Sequence, residues 1–402
     1  MSKNVPKVRF DGFSSDWMEK ELSEISTRIT KGTTPADKSW EGTIKYIKTD
    51  SINSINGNIE STSRISKKEH ESNLKRSKLE VNDILFSIVG TLGRVGIVKE
   101  KDLPANTNQQ ICIIRLNEGD INFIFTALRT PLIEKFIKSD ATIGAQPSIS
   151  LWQMEALKVP FPQIDEQQKI GTFFKHLDDT IALQQQLVEQ QQQYKKAMLQ
   201  KMFPQKGERV PKVRFYGFSE KWEERRAENI FKSISDKNHE ELPVLSATQD
   251  KGMVYRDEVG IDIKFDEKSK KTYKRVIPNQ FVIHLRSFQG GFAFSDKEGI
   301  TSPAYTILDF KTKNQNNPIF WKETLRSQSF IKRLETVTYG IRDGRSISYS
   351  DFLTLKFLVP SLEEQQKIGT FFEQIDDTII LHQKKLKDYQ QLKKALLQRM
   401  FV

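Results

Sequence analysis

The sequence predicts two mixed α/β bodies attached to two long α-helices that pair as an antiparallel coiled coil, the whole built as an internal pseudo-two-fold repeat. Three observations predict it: the chain repeats itself, the repeated tails carry a helical seam, and the stretches between them carry short apolar runs. Residues 5–19 (VPKVRFDGFSSDWME) and 210–224 (VPKVRFYGFSEKWEE) are identical at 11 of 15 positions, at an offset of 205. Residues 165–203 and 363–401 match at 24 of 39 positions, at an offset of 198. The offsets differ by seven, so the second body is shorter by that amount. Residues 23–145 and 228–343 share little, and similarity returns at QPSIS (146–150) and GRSIS (344–348). Each copy is a short constant opening, a divergent body and a constant tail. At about 150 residues per domain, 402 residues fit two or three domains.

The tails read as helices. Phe372, Ile375, Ile379, His382, Leu386, Tyr389, Lys393, Leu396 and Met400 alternate spacings of three and four. The same register in the first copy gives Phe174, Leu177, Ile181, Gln184, Val188, Gln191, Lys195, Met198 and Met202. This is an a/d seam with polar interruptions, which lower stability but fix register and partner number. Ser361 and Glu364 have capping-box spacing, whereas Gln163 stands at the equivalent cap position of the first helix. Pro160, Pro162 and Pro360 stop whatever precedes each helix. Roughly 38 residues give each helix about 57 Å at 1.5 Å per residue. An antiparallel pair puts the two bodies at opposite ends. The Gln-rich run 184–193 also admits a disordered low-complexity reading. Its counterpart, HQKKLKDYQQ, keeps apolar seam positions, which favours helix.

The bodies read as many short strands: TIKYIKT (43–49), DILFSIV (83–89), ICIIRL (111–116), QFVIHL (280–285) and AYTILDF (304–310). Turn signals separate them, among them Asn56-Gly57, Gly90, Gly290-Gly291 and Asp343-Gly344. Helices are expected over 121–138 and 318–335. The net charge is +11, and ten of those charges lie in the bodies while the tails are almost neutral. Nucleic acid is the obvious partner for basic globular modules, although a merely soluble surface explains +3 on residues 1–163 equally well.

The chemical inventory is empty. The single cysteine, Cys112, rules out a disulfide framework and a Cys-based zinc site, and it reads as a buried strand residue between isoleucines. Histidines 70, 176, 239, 284 and 382 form no HExxH. His284 reads as a structural strand residue with a base-edge contact as its alternative. Gly90–Gly96 resembles a phosphate loop only superficially, because it lacks the Lys-Ser/Thr pair. No GxGxxG follows a strand, and no NPPY or DPPY tetrapeptide is present. Asp266-Glu267-Lys268 reads as solvated surface. The repeated Asp178-Asp179 and Asp376-Asp377 pairs are expected to meet basic groups on a partner or near the helix junction rather than to act as acid and base. No run approaches 18 apolar residues and the basic N-terminus lacks an apolar h-region, so a cytoplasmic protein with neither membrane span nor signal peptide is expected. Rich organisation with no chemistry argues for a recognition subunit that positions enzymes on other chains.

At this point the residues resemble a known family. The repeated [DE]EQQKIGTFF…DDTI tails, the QPSIS and GRSIS blocks, ITKGTTP…WEGTIKYIKTD (29–50), DILFSIVGTLGRVGIV (83–98) and HLRSFQGGFAFSDKEGITSPAYTI (284–307) are similar to specificity (S) subunits of type I restriction–modification systems. The resemblance covers residues 5–401. It implies a first target recognition domain over 1–162, a spacer helix over 163–203, a linker over 204–209, a second recognition domain over 210–360 and a second spacer helix over 361–402. It implies that each recognition domain reads one half of a split double-stranded DNA target. The helices set the half-site distance and dock two modification (methyltransferase) subunits. Two ATP-driven restriction subunits complete the nuclease. No cofactor is expected on this chain; S-adenosylmethionine, ATP and Mg belong to the partner subunits.

Base reading needs Arg, Lys, Asn or Gln side chains presented to the major groove. Lys31, Thr33, Arg94, Gln109, Gln110 and Gln146 are the candidates in the first body, and Arg286, Gln289, Arg342 and Arg345 in the second. Lys75, Arg76, Lys78, Lys270, Lys271, Lys274 and Arg275 are candidates for phosphate. Each equally admits a structural or solvated role, and Gly90, Gly93, Gly290 and Gly291 read as tight turns. The competing functions are a stand-alone repressor-like DNA-binding protein, an enzyme with an unrecognised site such as a nuclease, and a coiled-coil adaptor.

Overall fold

A computed structural model of the chain describes residues 5–142, 146–248, 251–259, 267–283, 292–336 and 348–401. The chain divides into two compact units, residues 1–188 with 382–402 and residues 189–381. The first unit contains β1 (Met18–Glu21), β2 (Ser26–Lys31), β3 (Ile44–Ile47), β4 (Ser63–Ile65), α1 (Lys67–Glu71), β5 (Ile84–Ser87), β6 (Val95–Ile97), β7 (Ala105–Thr107) and β8 (Ile111–Leu116). After these come α2 (Ile121–Ala127), α3 (Pro131–Asp140), α4 (Leu151–Glu155) and β9 (Lys158–Phe161), then the long helix α5 (Ile164–Met202), of which residues 164–188 belong to this unit and 189–202 to the second. The second unit contains β10 (Glu223–Arg226), α6 (Ala227–Ile230), β11 (Phe231–Ile234), β12 (Leu245–Thr248), β13 (Gly252–Tyr255), β14 (Lys274–Val276), β15 (Phe281–Ile283), β16 (Ala293–Phe294), β17 (Gly299–Thr301) and β18 (Thr306–Phe310). It continues through α7 (Pro318–Arg326), α8 (Gln328–Thr336), α9 (Tyr349–Thr354) and β19 (Lys356–Val359) into the second long helix, α10 (Leu362–Met400), of which residues 362–381 belong to this unit and 382–400 to the first.

The bodies that share little sequence share a sheet. Its order is β2-β8-β5-β6 in the first unit and β11-β18-β15-β16 in the second, with every pairing antiparallel. Successive side chains point to opposite faces and both faces are covered, so these strands are apolar on each. On one face Ile84, Phe86, Cys112 and Ile114 pack with Phe123, Ile124 and Phe174. On the other, Leu85, Ile111 and Ile113 pack with Ile47, Ile52, Leu79 and Ala105 beneath the mixed sheet β4-β3-β7. The second unit repeats the arrangement. Phe231, Phe281, Leu308 and Phe310 face Phe320, Trp321 and Phe372, while Val282, Ala293 and Ile307 face Leu245, Met253 and Val276. Cys112 is fully buried, and burial pushes its thiol up to about 12.

The helices expected over 121–138 and 318–335 are each broken in two. Thr130 is extended and Pro131 opens α3, because the residue before a proline is pushed out of the helical region. Ser327 is extended too, and its Oγ accepts from Phe330 N at 3.2 Å to start the next helix. Asp120 and Asn317 cap α2 and α7 by accepting from Phe123 N and Phe320 N, each at 2.9 Å.

The repeated tail motif is accounted for residue by residue. Glu166 and Glu364 hold Arg9 and Arg214 of the constant openings in bidentate pairs at 2.6–2.8 Å. Ser361 Oγ accepts from Glu364 N at 3.3 Å, so the first half of the capping box forms. The Glu364 carboxylate goes to Arg214 instead of closing the box, because a charge-assisted fork outweighs a neutral N–H. Gln167 and Gln365 accept from Asp120 N and Asn317 N at 2.9 and 3.0 Å. Gly171 and Gly369 permit that approach: an added Cβ would stand 2.4 Å from Asp120 Oδ1 or 2.5 Å from Asn317 Oδ1. Val8 N and Val213 N donate to Arg399 O and Lys201 O at 2.9 and 3.0 Å, which satisfies a last-turn carbonyl of each long helix.

Within each unit the helical segments run antiparallel. In the first, Phe174 meets Phe401, Asp178 meets Lys393 and Gln184 meets His382. In the second, Tyr194 packs against Phe371 and Lys195 pairs with Asp376. Of the predicted seam, Phe174, Ile181, Val188, Phe372, Ile375, Ile379 and Met400 are buried, while Leu177, Leu386, Tyr389, Met198 and Leu396 are half-buried. Leu397 is more buried than Leu396, so the seam moves by one residue where a 3.6-residue helix outruns a 3.5 repeat. Among the polar seam positions, Gln184 pairs with His382, Lys195 with Asp376 and Lys393 with Asp178. Asp178 takes Lys393 and Arg129, each at 2.5 Å, and Asp376 takes Lys195 at 2.7 Å and Lys322 at 3.0 Å. Burial and the Arg129 charge push the Lys393 ammonium down, against the support of Asp178.

Burial opposes ionisation of Asp376, but hydrogen bonds and charge from Lys195 and Lys322 outweigh it and hold the carboxyl below the ordinary range. A carboxyl depressed on folding stabilises the fold above its unfolded value, about 3.9, and that contribution disappears as the pH falls through the folded value. Asp376→Asn is therefore expected to cost about 2 kcal/mol at pH 7, and the gap from the wild type should close below about pH 4. Urea denaturation midpoints measured across that range check it.

Candidate nucleic-acid interface

Three strand termini meet at one end of the first unit's sheet. β2 ends at Lys31 opposite Cys112, and β5 ends at Ser87 opposite Ile111. The segments that leave this end are tied by backbone hydrogen bonds: Gly32 N to Ile111 O (3.1 Å), Thr33 N to Thr107 O (2.9 Å), Ile88 N to Gln110 O (2.8 Å) and Gly90 N to Pro147 O (3.0 Å). Gly32 is required here, because a Cβ would stand 2.1 Å from Asn108 O. Gly90 and Gly93 adopt φ of +75° and +76°, the tight turn expected of them.

This edge brings together Lys31, Thr33, Gln109, Gln110 and Gln146. Arg76 joins them by donating from Nε to Thr33 Oγ1 at 3.1 Å. Lys31, Lys75, Gln109 and Gln146 are exposed, and their side chains make no hydrogen bond among the described residues. Others are already engaged. Arg94 donates to Thr49 O (3.1 Å) and Ile52 O (3.4 Å), holding that turn. Lys78 is engaged at the surface by Glu71 at 2.5 Å, whereas Gln110 accepts from Asn108 Nδ2 at 3.0 Å through Oε1 alone and its Nε2 makes no hydrogen bond among the described residues. Asn108 is a member of this edge that residue-by-residue reading passed over; the polar run NTNQQ was its signal.

In the second unit Arg286, Gln289, Arg342 and Arg345, like His284, lie outside the described residues. Lys271 is exposed, with Glu240 at 3.9 Å. Lys270 is half-buried. Lys274 donates to Tyr305 O at 2.7 Å, and burial lowers its pKa. Arg275 lies between Glu298 (2.5 Å) and Asp236 (3.5 Å); the hydrogen bond to Glu298 raises its pKa. Lys271 is thus the candidate phosphate lysine of this unit with least engagement, whereas Lys274 and Arg275 brace the β14 region.

Among the described residues no group of three or more His, Cys, Asp or Glu is arranged to hold a metal ion. No described helix is long and apolar enough to cross a membrane. Asp178 and Asp376 are occupied by their cations, and Asp179 pairs with Lys175 at 2.8 Å.

Comparison with known proteins shows what this geometry accompanies. The family model described as the type I restriction modification DNA specificity domain matches residues 14–191 and again 219–390. A putative type I restriction enzyme MjaX specificity subunit of Methanocaldococcus jannaschii is 23% identical, across 98% of this chain and 95% of its own. The type I restriction enzyme EcoBI specificity subunit of Escherichia coli is 30% identical over 174 residues, 41% of this chain and 36% of its own. The crystal structure of a type I restriction–modification system S subunit from M. genitalium has the same fold, with a TM-score of 0.65 at 15% identity over 99% of both chains. A chain from a structure concerning complex assembly and conformational transition of the type I R–M system has a TM-score of 0.51 at 16% identity, covering 96% of this chain and 97% of its own.

The division between free and committed side chains is testable. Lys75→Ala is expected to weaken DNA binding by the assembled protein across sequences and to reduce the slope of log affinity against log salt by about 1, and Lys31→Ala to weaken discrimination at one base position, neither changing the melting temperature. Arg94→Ala is expected to lower the melting temperature instead. Filter binding across a salt series, with thermal melts alongside, checks both.

Proposed function

The chain belongs to the type I restriction–modification DNA specificity family, and we propose that each of its sheet edges reads one half of a bipartite DNA target for methyltransferase subunits docked on the same chain. The chain itself is the DNA sequence-specificity subunit and has a recognition role; the family domain occurs twice, which fits a split target. The observation that carries the reading is one sheet order built twice from unlike sequences, between openings and tails that are nearly alike. Like frames suit like partners, and unlike edges suit unlike half-sites.

Residues 1–162 and 210–360 serve in this reading as the recognition domains, 163–203 and 361–402 as spacer helices, and 204–209 as the linker. Lys31, Thr33, Gln109, Gln110 and Gln146 face bases in the first domain, with Lys75 and Arg76 on phosphates. Arg286, Gln289, Arg342 and Arg345 do the same in the second, with Lys270 and Lys271 on phosphates. Two modification subunits bring S-adenosylmethionine and methylate adenine. Restriction subunits bring ATP and Mg-dependent cleavage. The complex acts in the cytoplasm. A helix pair of fixed length sets the half-site spacing.

Methylome sequencing of a host that expresses this chain with its cognate modification subunit, beside the same host without this chain, tests the proposal. The expected result is a new methyladenine signal in a split motif. No new motif, with an active partner and an assembled complex, would favour stand-alone DNA binding.

A further inference from the structure

A capping box starts α4. Ser150 Oγ accepts from Gln153 N at 3.4 Å, and Gln153 Oε1 accepts from Ser150 N at 2.9 Å. Leu151 and Met154 of this short helix pack into the first unit's core, whereas Trp152 is 68% exposed. Its indole makes no hydrogen bond, ring contact or cation contact among the described residues. A lone exposed apolar side chain needs no explanation by itself. The place of this one, and its divergence between the two copies, assign it a task.

The place is the end of the sheet where the reading edge lies. The residues that lead into α4 extend the sheet there: Val89 bridges Ser148, Ile149 N donates to Ile88 O at 2.9 Å, and the exposed Gln146 comes just before them. The other end of the helix is tied to the far end of β2. Ser23 N and Leu22 N donate to Glu155 O and Leu157 O at 3.1 and 3.0 Å. α4 therefore runs beside β2 away from the edge, and Trp152 stands in its first turn, at the edge. Alternation along the strand puts Lys31 on the same side of β2 as Ile29. Ile29 packs into the same core as Leu151 and Met154, so α4 and Lys31 lie on one face of the sheet.

In the second unit α9 begins in the same way. Ser348 Oγ accepts from Asp351 N at 3.0 Å, and Tyr349 Oη accepts from Ser233 N of β11 at 2.9 Å. There the position of Trp152 is held by Ser350, whose hydroxyl meets that of Ser348 at 2.7 Å. The helix thus forms without an aromatic residue at this position. The indole is peculiar to the copy that carries Lys31, Gln109 and Gln146.

Those neighbours say what the indole meets. Lys31 and Lys75 have no carboxylate partner among the described residues, which suits a polyanion better than an apolar protein surface. The cations and amides of the edge suit phosphates and polar base edges, and Trp152 adds the apolar surface they lack. In the major groove the one apolar group that a base pair displays is the thymine C5 methyl. We infer that Trp152 is a further specificity-determining residue, which packs its indole on the methyl group of a thymine in the half-site read by the first unit. This rests on the preceding reading that the edge enters the major groove of its target.

The test uses the full chain assembled with its modification subunits, and duplexes that carry its methylated motif. Each thymine of both half-sites, on either strand, is replaced singly by deoxyuracil, which deletes only the methyl group. The wild type is expected to lose affinity about fourfold at one position, the worth of one buried methyl group. Trp152→Ser is expected to bind the natural duplex more weakly by at least that factor and to ignore the replacement at that position. Trp152→Phe, which keeps an apolar ring, should still sense it. The melting temperature and the slope of log affinity against log salt should stay at their wild-type values in both variants, since neither a core residue nor a phosphate contact is lost. The inference is overturned if no thymine exists whose replacement the wild type senses and Trp152→Ser ignores. A salt slope that falls with Trp152→Ser overturns it too, as a backbone contact. So does a loss of bound modification subunits by native mass spectrometry, which would make Trp152 a protein contact. A wild-type complex that methylates no split motif would overturn the preceding reading itself, before Trp152 comes into question.

Discussion

Glu166 and Glu364 are carboxylates almost without access to water, each in the first turn of a long helix. A buried carboxylate left alone costs several kcal/mol, so each needs its cation. Arg9 and Arg214 supply it through bidentate forks, and Trp17 adds a hydrogen bond to Glu166 at 3.1 Å. That single constraint fixes the opening against the helix start. The rest follows from it: Gln167 and Gln365 clamp the starts of α2 and α7, Gly171 and Gly369 admit them, and Phe174 and Phe372 fill the core behind.

The frame so built is constant and the loops it carries are not. Each four-stranded sheet is apolar on both faces, so its interior tolerates little change beyond volume. The strand ends carry no such burden. Lys31, Gln109 and Gln146 are exposed at the end of the first sheet and make no demand on the fold. Residues there are thereby free to differ between two domains that share a topology, as the proposed reading of two unlike half-sites requires.

The tails were legible because they are local. The seam, the proline stops and the Ser361 cap depend on residues close in sequence, and both helices begin within a residue of where the pattern places them. The equivalence of the two bodies was hidden, since sheet order leaves no trace where the residues differ. The site was half legible. Glycine and polar runs marked the edge around Gly32, Gly90 and Asn108. Which side chains stay free depended on distant partners: Arg94 finds carbonyls 42 and 45 residues away, and Arg275 finds Glu298 across 23. The helix breaks at Thr130 and Ser327 were written in Pro131 and in a serine cap, signals outweighed by apolar periodicity.

The central claim is that a constant frame carries two independently exchangeable reading edges. Replacing residues 23–145 by the corresponding body of another family member, and reading the methylated motif of the resulting complex, tests it most directly. The account predicts that one half-site changes while the other half-site and the spacing stay as they were. A motif altered in both halves, or in its spacing, would contradict it.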